Sequence, residues 1–193
     1  MCESANNLCR QSGICSVGKR SDFERVERDF YPTPIQAVIP LMPHLPKTFT
    51  FAEPCAGDGR LARHLDDLTK SNCIATLISD IEPRDDGIEA IDALSVKVPS
   101  NTDFIITNPP WDRKLLHPLI DNFATQKPTW LLFDANWMFT KQAKDYLLWC
   151  EKIVTIGRVN WIEGTKQSGK DDSCWYLFDA KNTKHTTFYG RST

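Results

Sequence analysis

At 193 residues and a formal net charge of −2, the chain is long enough for one domain with a full core, and its charge excludes a generally basic nucleic-acid binder while leaving room for a local basic face. No apolar run approaches a membrane span and the start is too polar for a secretory signal, which argues against a membrane partner. The seven cysteines follow no regular spacing, so the simplest reading is a reduced, cytoplasmic setting with neither a disulfide framework nor a metal site.

Residues 1–20 are polar, with few large apolar side chains, and read as a flexible tail; residues 21–193 read as a single domain. Basic residues from Arg10 to Arg28 make this end locally positive, with acids interleaved from Asp22 on. In Tyr31-Pro32-Thr33-Pro34, Thr33 as N-cap and Pro34 at the first helical position predict a helix through Ile35, Val38, Ile39 and Leu41, ending near Pro43.

Phe49–Ala52 reads as a strand, followed by Glu53-Pro54-Cys55-Ala56-Gly57-Asp58-Gly59, then Leu61, Ala62, Leu65 and Leu68 at helical spacing. Strand, glycine turn and helix form the geometry of a nucleotide-type site at the carboxyl end of a parallel sheet. The glycines allow close backbone approach. The loop lacks the Gly-Lys-Ser/Thr of a phosphate loop and carries two carboxylates, Glu53 and Asp58, which suit a cationic ligand such as S-adenosylmethionine, with its sulfonium and ammonium groups.

Cys73–Ser79 reads as a second strand ending at Asp80-Ile81. An acid in that position can accept both ribose hydroxyls, so Asp80 is the ribose candidate, with Ile81 against the adenine face. Gly87–Ile91 reads as a short third strand leading to Asp92.

The fourth strand, Phe104–Ile106, is apolar throughout, as expected of a strand buried on both faces, and runs into Thr107-Asn108-Pro109-Pro110-Trp111. The prolines lack N–H groups and hold Asn108 and Pro109 extended. The stiff loop presents a carboxamide, a main-chain carbonyl and an aromatic face. An NH₂ group has two N–H bonds, which the Asn108 side-chain oxygen and the Pro109 carbonyl would accept while Trp111 stacks on the ring.

Beyond it, Leu115–Phe123 predicts a helix, Trp130–Phe133 a buried fifth strand, and Asn136–Trp149 a further helix. Ile153–Ile156 and Trp175–Phe178, with no helix between them, predict an antiparallel pair. The loop joining them, 158–173, is longer than a hairpin needs and carries Trp161, Lys166 and Lys170; the two lysines are candidates for contacting a substrate backbone.

The pair Glu-Pro-x-Ala-Gly-x-Gly and Asn-Pro-Pro-Trp resembles the class I S-adenosylmethionine-dependent methyltransferases that modify exocyclic amines, and most nearly the small phage-type DNA adenine-N6 methyltransferases. The resemblance covers about Asp29 to Phe178. It implies a Rossmann-like α/β domain with a mostly parallel seven-stranded sheet and a reversed last strand. It also implies methyl transfer to the N6 amine of adenine in DNA, S-adenosylhomocysteine as product, and a role such as restriction protection in the cytoplasm of a host cell. By the same resemblance Tyr31 and Thr33 lie against the methionine end of the cofactor, Glu53, Cys55, Ala56, Gly57, Gly59 and Asn108 belong to its site, and Asp92 accepts from its adenine amine. Trp stands at position 111, where Tyr or Phe is commoner. The 61–107 stretch is needed for the sheet and little follows Phe178, so no separate target-recognition domain is expected. RNA adenine, DNA cytosine-N4 and protein glutamine remain alternative substrates for the same acceptor pair. A catalytically silent cofactor-binding subunit is the non-enzyme alternative.

Overall fold

A computed structural model describes residues 31–161, 169 and 171–191. Eight strands form one sheet, β1 (Phe49–Glu53), β2 (Cys73–Asp80), β3 (Glu89–Ala90), β4 (Phe104–Thr107), β5 (Thr129–Asp134), β6 (Cys150–Arg158), β7 (Asp172–Phe178) and β8 (Thr187–Tyr189), in the order β3-β2-β1-β4-β5-β7-β6-β8. The strands from β3 to β5 pair in parallel. β7 runs antiparallel to both β5 and β6, the expected reversed strand. The seven expected strands are therefore present, and β8 adds an eighth by pairing in parallel with β6.

Helices cover both faces. On one face α1 (Ile35–Val38), the 3₁₀ segment Ile39–His44 and α2 (Arg60–Thr69) pack Ala37, Leu41, Leu61 and Leu65 onto Phe51, Ile106, Trp130 and Trp175. On the other, α3 (Arg113–Ala124) brings Leu116, Leu119 and Phe123, and α4 (Ala143–Tyr146) brings Ala143, to the core of Ile105, Leu131, Phe133 and Tyr176. Neighbouring residues of β4 and β5 thus face opposite cores, which is why these strands are apolar throughout.

Two helices depart from expectation. Thr33 is not a cap: Pro34 occupies the N-cap position, no side chain caps α1, and the helix passes into 3₁₀ after four residues because Pro40 and Pro43 interrupt its ladder. The helix expected over 136–149 is split into a 3₁₀ turn, Ala135–Phe139, and α4. Asp134 caps the start of the turn through Asn136 N–H; the break falls at Thr140, whose backbone is extended at φ −86° and ψ 152° and whose hydroxyl donates to the Trp137 carbonyl, a side-chain bond that competes with a continuous helix. The β2–β3 and β3–β4 connections contain no helix, which leaves Ile74 on β2 exposed. Among the described residues no helix is long and apolar enough to cross a membrane.

Candidate functional site

The sheet order reverses between β1 and β4, and the crevice at the carboxyl ends of strands flanking such a switch is where doubly wound α/β folds bind ligands. A cavity of about 730 Å³ opens there, lined by Glu53 at the end of β1, by Cys55, Ala56 and Gly57 of the following turn, and by Asp80 at the end of β2 with Ile81 just past it. Asp92, Asn108 and Pro110 close its other sides, with Tyr31 and Thr33 contributed by the segment entering α1. The volume suits a ligand of nucleoside size.

The glycine turn is shaped by two left-handed residues, Gly57 at φ 57° and Gly59 at φ 74°. Gly59 is buried beneath the pocket floor rather than lining it; a Cβ there would lie 3.3 Å from Ile88 Cδ1. Asp80 anchors the turn: Oδ2 accepts from Gly57 N–H and Oδ1 from Glu82 N–H, each at 2.8 Å. Each carboxylate oxygen retains acceptor capacity for a ligand hydroxyl. Asp92 is exposed, and its Oδ1 accepts from Leu94 N–H at 2.9 Å. Ile81, 59% exposed, presents a bare apolar face to the cavity. Glu82, Leu94 and Leu115 also line it; they lie in turns or one helical step past the recognised motifs, and only the pairing of β2 with β3 and the start of α3 shows where they point.

The two loop carboxylates are not equivalent. Asp58 is paired with Arg60 at 3.3 Å and accepts from its N–H. Glu53 is 1% exposed, and its Oε2 accepts from Ala62 N–H at 3.0 Å. Burial pushes its carboxyl well above the usual range, the Ala62 N–H opposes that rise, and the Asp58 and Asp80 carboxylates add to it. A buried carboxylate of this kind is stabilised by an incoming cation. Burial likewise pushes the Cys55 thiol up, so it lines the pocket as a neutral group.

The raised Glu53 value fixes a pH effect. A proton held more tightly by the folded chain contributes stability that is complete below the unfolded value, near 4.5, and is lost as pH rises through the folded one. Glu53→Gln should therefore match the wild type in urea denaturation at low pH and become the more stable protein as pH rises. The same variant should bind S-adenosylmethionine about 10- to 100-fold more weakly by calorimetry at neutral pH, through loss of a charged hydrogen-bond partner. Equal stability at all pH values would show that Glu53 is not strained by burial.

Asn108 follows β4 directly. Its Nδ2 donates to the Tyr31 carbonyl at 3.3 Å and to Thr33 Oγ1 at 3.2 Å. Its Oδ1 accepts from Trp111 Nε1 at 3.2 Å, and the same indole N–H is shared with the Leu132 carbonyl of β5, also at 3.2 Å. Thr33, expected as a helix cap, instead holds the carboxamide. Pro109 is buried, and its carbonyl accepts no hydrogen bond among the described residues. Trp111 stands beside the cavity rather than in its wall, edge-on to Trp161 with ring centroids 5.7 Å apart; Trp161 in turn lies 6.5 Å from Tyr31. The excess length of the loop over 158–173 is the sequence signal pointing to this place, but nothing local sets Trp161 beside Trp111. Lys166 and Lys170 lie outside the described residues. Among the described residues no group of three or more His, Cys, Asp or Glu is placed to hold a metal ion.

This architecture is shared with solved structures at low sequence identity. A candidate class I S-adenosylmethionine-dependent methyltransferase from Listeria monocytogenes matches with a TM-score of 0.57 at 10% identity, over 89% of this chain and 68% of that one. The methyltransferase subunit of a type I restriction-modification system from Streptococcus thermophilus matches at 0.54 and 11% identity, over 83% of this chain, which spans 47% of that subunit. A candidate RNA methyltransferase from Pyrococcus horikoshii matches at 0.51 and 14% identity, over 83% of this chain and 92% of that one. No family model and no curated protein sequence matches the chain. The chain has the Rossmann-like fold of class I S-adenosylmethionine-dependent methyltransferases.

Proposed function

We propose that the protein transfers a methyl group from S-adenosylmethionine to an exocyclic amine of a nucleic-acid base, the N6 amine of adenine in DNA being the leading substrate. The observation that carries this reading is the Asn108 carboxamide. Its nitrogen is committed to Tyr31 and Thr33; its oxygen accepts from Trp111 Nε1 and keeps a second lone pair for an incoming amine, and the carbonyl of Pro109, the next residue, accepts no hydrogen bond among the described residues. The cofactor fits the other wall: Glu53 offers a buried carboxylate for an ammonium, Asp80 offers acceptors for ribose hydroxyls, and Ile81 offers a bare face for adenine.

The cofactor supplies an electrophilic methyl: a C–N bond forms as the C–S bond breaks, sulfur keeps the electron pair, and S-adenosylhomocysteine leaves. The chain's own residues position the amine. An aromatic NH₂ is a poor nucleophile because its lone pair is delocalised into the ring. Acceptors at Asn108 Oδ1 and Pro109 O draw its two hydrogens out of the ring plane and localise that pair. The nitrogen becomes cationic on attack and then releases a proton readily, so a strong base is not required. A base within a duplex must be flipped out to reach this depth. Trp111, fixed by its shared N–H, offers a rigid ring edge beside it.

The test is transfer of label from radiolabelled S-adenosylmethionine to unmethylated duplex DNA, to RNA and to adenine-free DNA. Incorporation only into adenine-containing DNA supports the leading reading. Label in adenine-free DNA moves the target to cytosine-N4, and label in RNA alone moves it to an RNA substrate. Absence of label in all three, despite cofactor binding, defeats a nucleic-acid substrate and leaves a protein amide or a silent subunit.

A further inference from the structure

The 3₁₀ turn Ala135–Phe139 leaves the carboxyl end of β5, the strand beside β4. Its last residue, Phe139, is 80% exposed, more than any other large apolar side chain of the described residues. The turn that presents it is fixed. Trp137, 1% exposed, donates from Nε1 to His117 Nε2 at 3.0 Å, and the Asp134 and Thr140 side chains close both ends. A phenyl ring left this far in water gains little from burial on folding.

Its surroundings are cationic. Lys141 and Lys144 follow it, and Arg113 and Lys114 begin α3; all are exposed. Arg113 Nη1 donates to Gln142 Oε1 at 3.2 Å, which joins the two segments into one surface. Three acids lie among the four cations: Asp112, whose Oδ1 accepts from Lys114 N–H, half-buried Asp134, whose Oδ1 accepts from Asn136 N–H at the start of the turn, and Asp145. One positive charge is left over, although the chain as a whole is at −2. It also sits at the strand ends that carry Asn108, where a substrate must approach.

We infer that Phe139, with Arg113, Lys114, Lys141 and Lys144, forms the docking surface for the nucleic-acid strand next to the target base. This rests on the nucleic-acid reading proposed above. The cations take backbone phosphates, and the phenyl ring stacks on a base that loses its neighbour when the target leaves the helix. The turn after β5 thus gives this domain a grip on the substrate of its own.

Binding of fluorescein-labelled random-sequence duplex DNA, followed by anisotropy over a salt series, tests this. Phe139→Ala should weaken binding about 5- to 150-fold, the range for one base–aromatic stack, at an unchanged salt slope. Lys141→Ala/Lys144→Ala should lower the slope of log K against log salt by about 2. Lys47→Ala/Lys97→Ala, which removes equal charge ahead of β1 and ahead of β4 at the opposite end of the sheet, should leave the slope unchanged. Retained S-adenosylmethionine affinity shows that each variant is folded. Wild-type binding by both the Phe139 and the lysine variants overturns the surface, as does a slope that falls equally in the control pair. If label transfer depends on Asn108 while these variants bind normally, the surface fails and the methyltransferase reading stands. If the variants lose binding but no nucleic acid is methylated, the surface stands and the amine reading fails.

Discussion

Asn108→Ala should lower the rate of methyl transfer about 10²- to 10³-fold in single-turnover assays, the cost of removing one preorganised hydrogen-bond partner from a reacting centre. The substitution removes the proposed acceptor for the target amine and also the group that ties Tyr31 and Thr33 to the Trp111 indole. Asn108→Asp separates these contributions. A carboxylate accepts at least as well, but it has no N–H for the Tyr31 carbonyl, and the oxygen facing that carbonyl is repelled. The aspartate variant should therefore also be impaired, although it can accept from the amine. An aspartate variant of wild-type rate would show that the Tyr31 and Thr33 contacts do not orient the carboxamide. An alanine variant of wild-type rate would remove Asn108 from the reaction altogether.

The second large effect is expected at Asp80. Asp80→Ala should weaken S-adenosylmethionine binding on the order of 100-fold by calorimetry, because it deletes charged hydrogen bonds. Gly57 N–H and Glu82 N–H both lose the Asp80 carboxylate, so the turn lining the cavity loses its anchor at the same time as the proposed ribose partner is removed. Asp80→Asn keeps an oxygen for one N–H but turns an NH₂ towards the other, and should fall between the two. Unchanged affinity in Asp80→Ala would exclude Asp80 from the cofactor site.

The parts of this molecule that were legible in the sequence are those whose chemistry is local. The buried runs around Ile105–Ile106 and Leu131–Phe133 announce central strands because strands covered on both faces have no polar alternation. The glycine turn and the proline-stiffened Asn108 loop declare their backbone geometry residue by residue. What could not be read depends on distant partners. Thr33 resembles a helix cap until Asn108, brought to it from β4, claims its hydroxyl. The helix expected over 136–149 has the right spacing, but Thr140 is extended and its hydroxyl takes the Trp137 carbonyl, so the ladder stops there, one residue after exposed Phe139. Trp161 and the strand β8 acquire their places through the return of β6 and β7, which local periodicity does not encode.

The Asn108 loop contains no hinge. Ile105 is packed in one core and Ile106 in the other, Pro109 and Pro110 restrict the backbone beyond them, and the Trp111 indole is shared between Asn108 and β5. A receptor clamped from both sides of the sheet has little motion to contribute, so the conformational work of the encounter falls on the substrate. On the nucleic-acid reading proposed above, the barrier to productive binding is then the ease with which the target base opens, and weakly paired or already unstacked sites are engaged first. Selectivity among chemically identical amines is, on that reading, partly a mechanical property of the polymer that carries them.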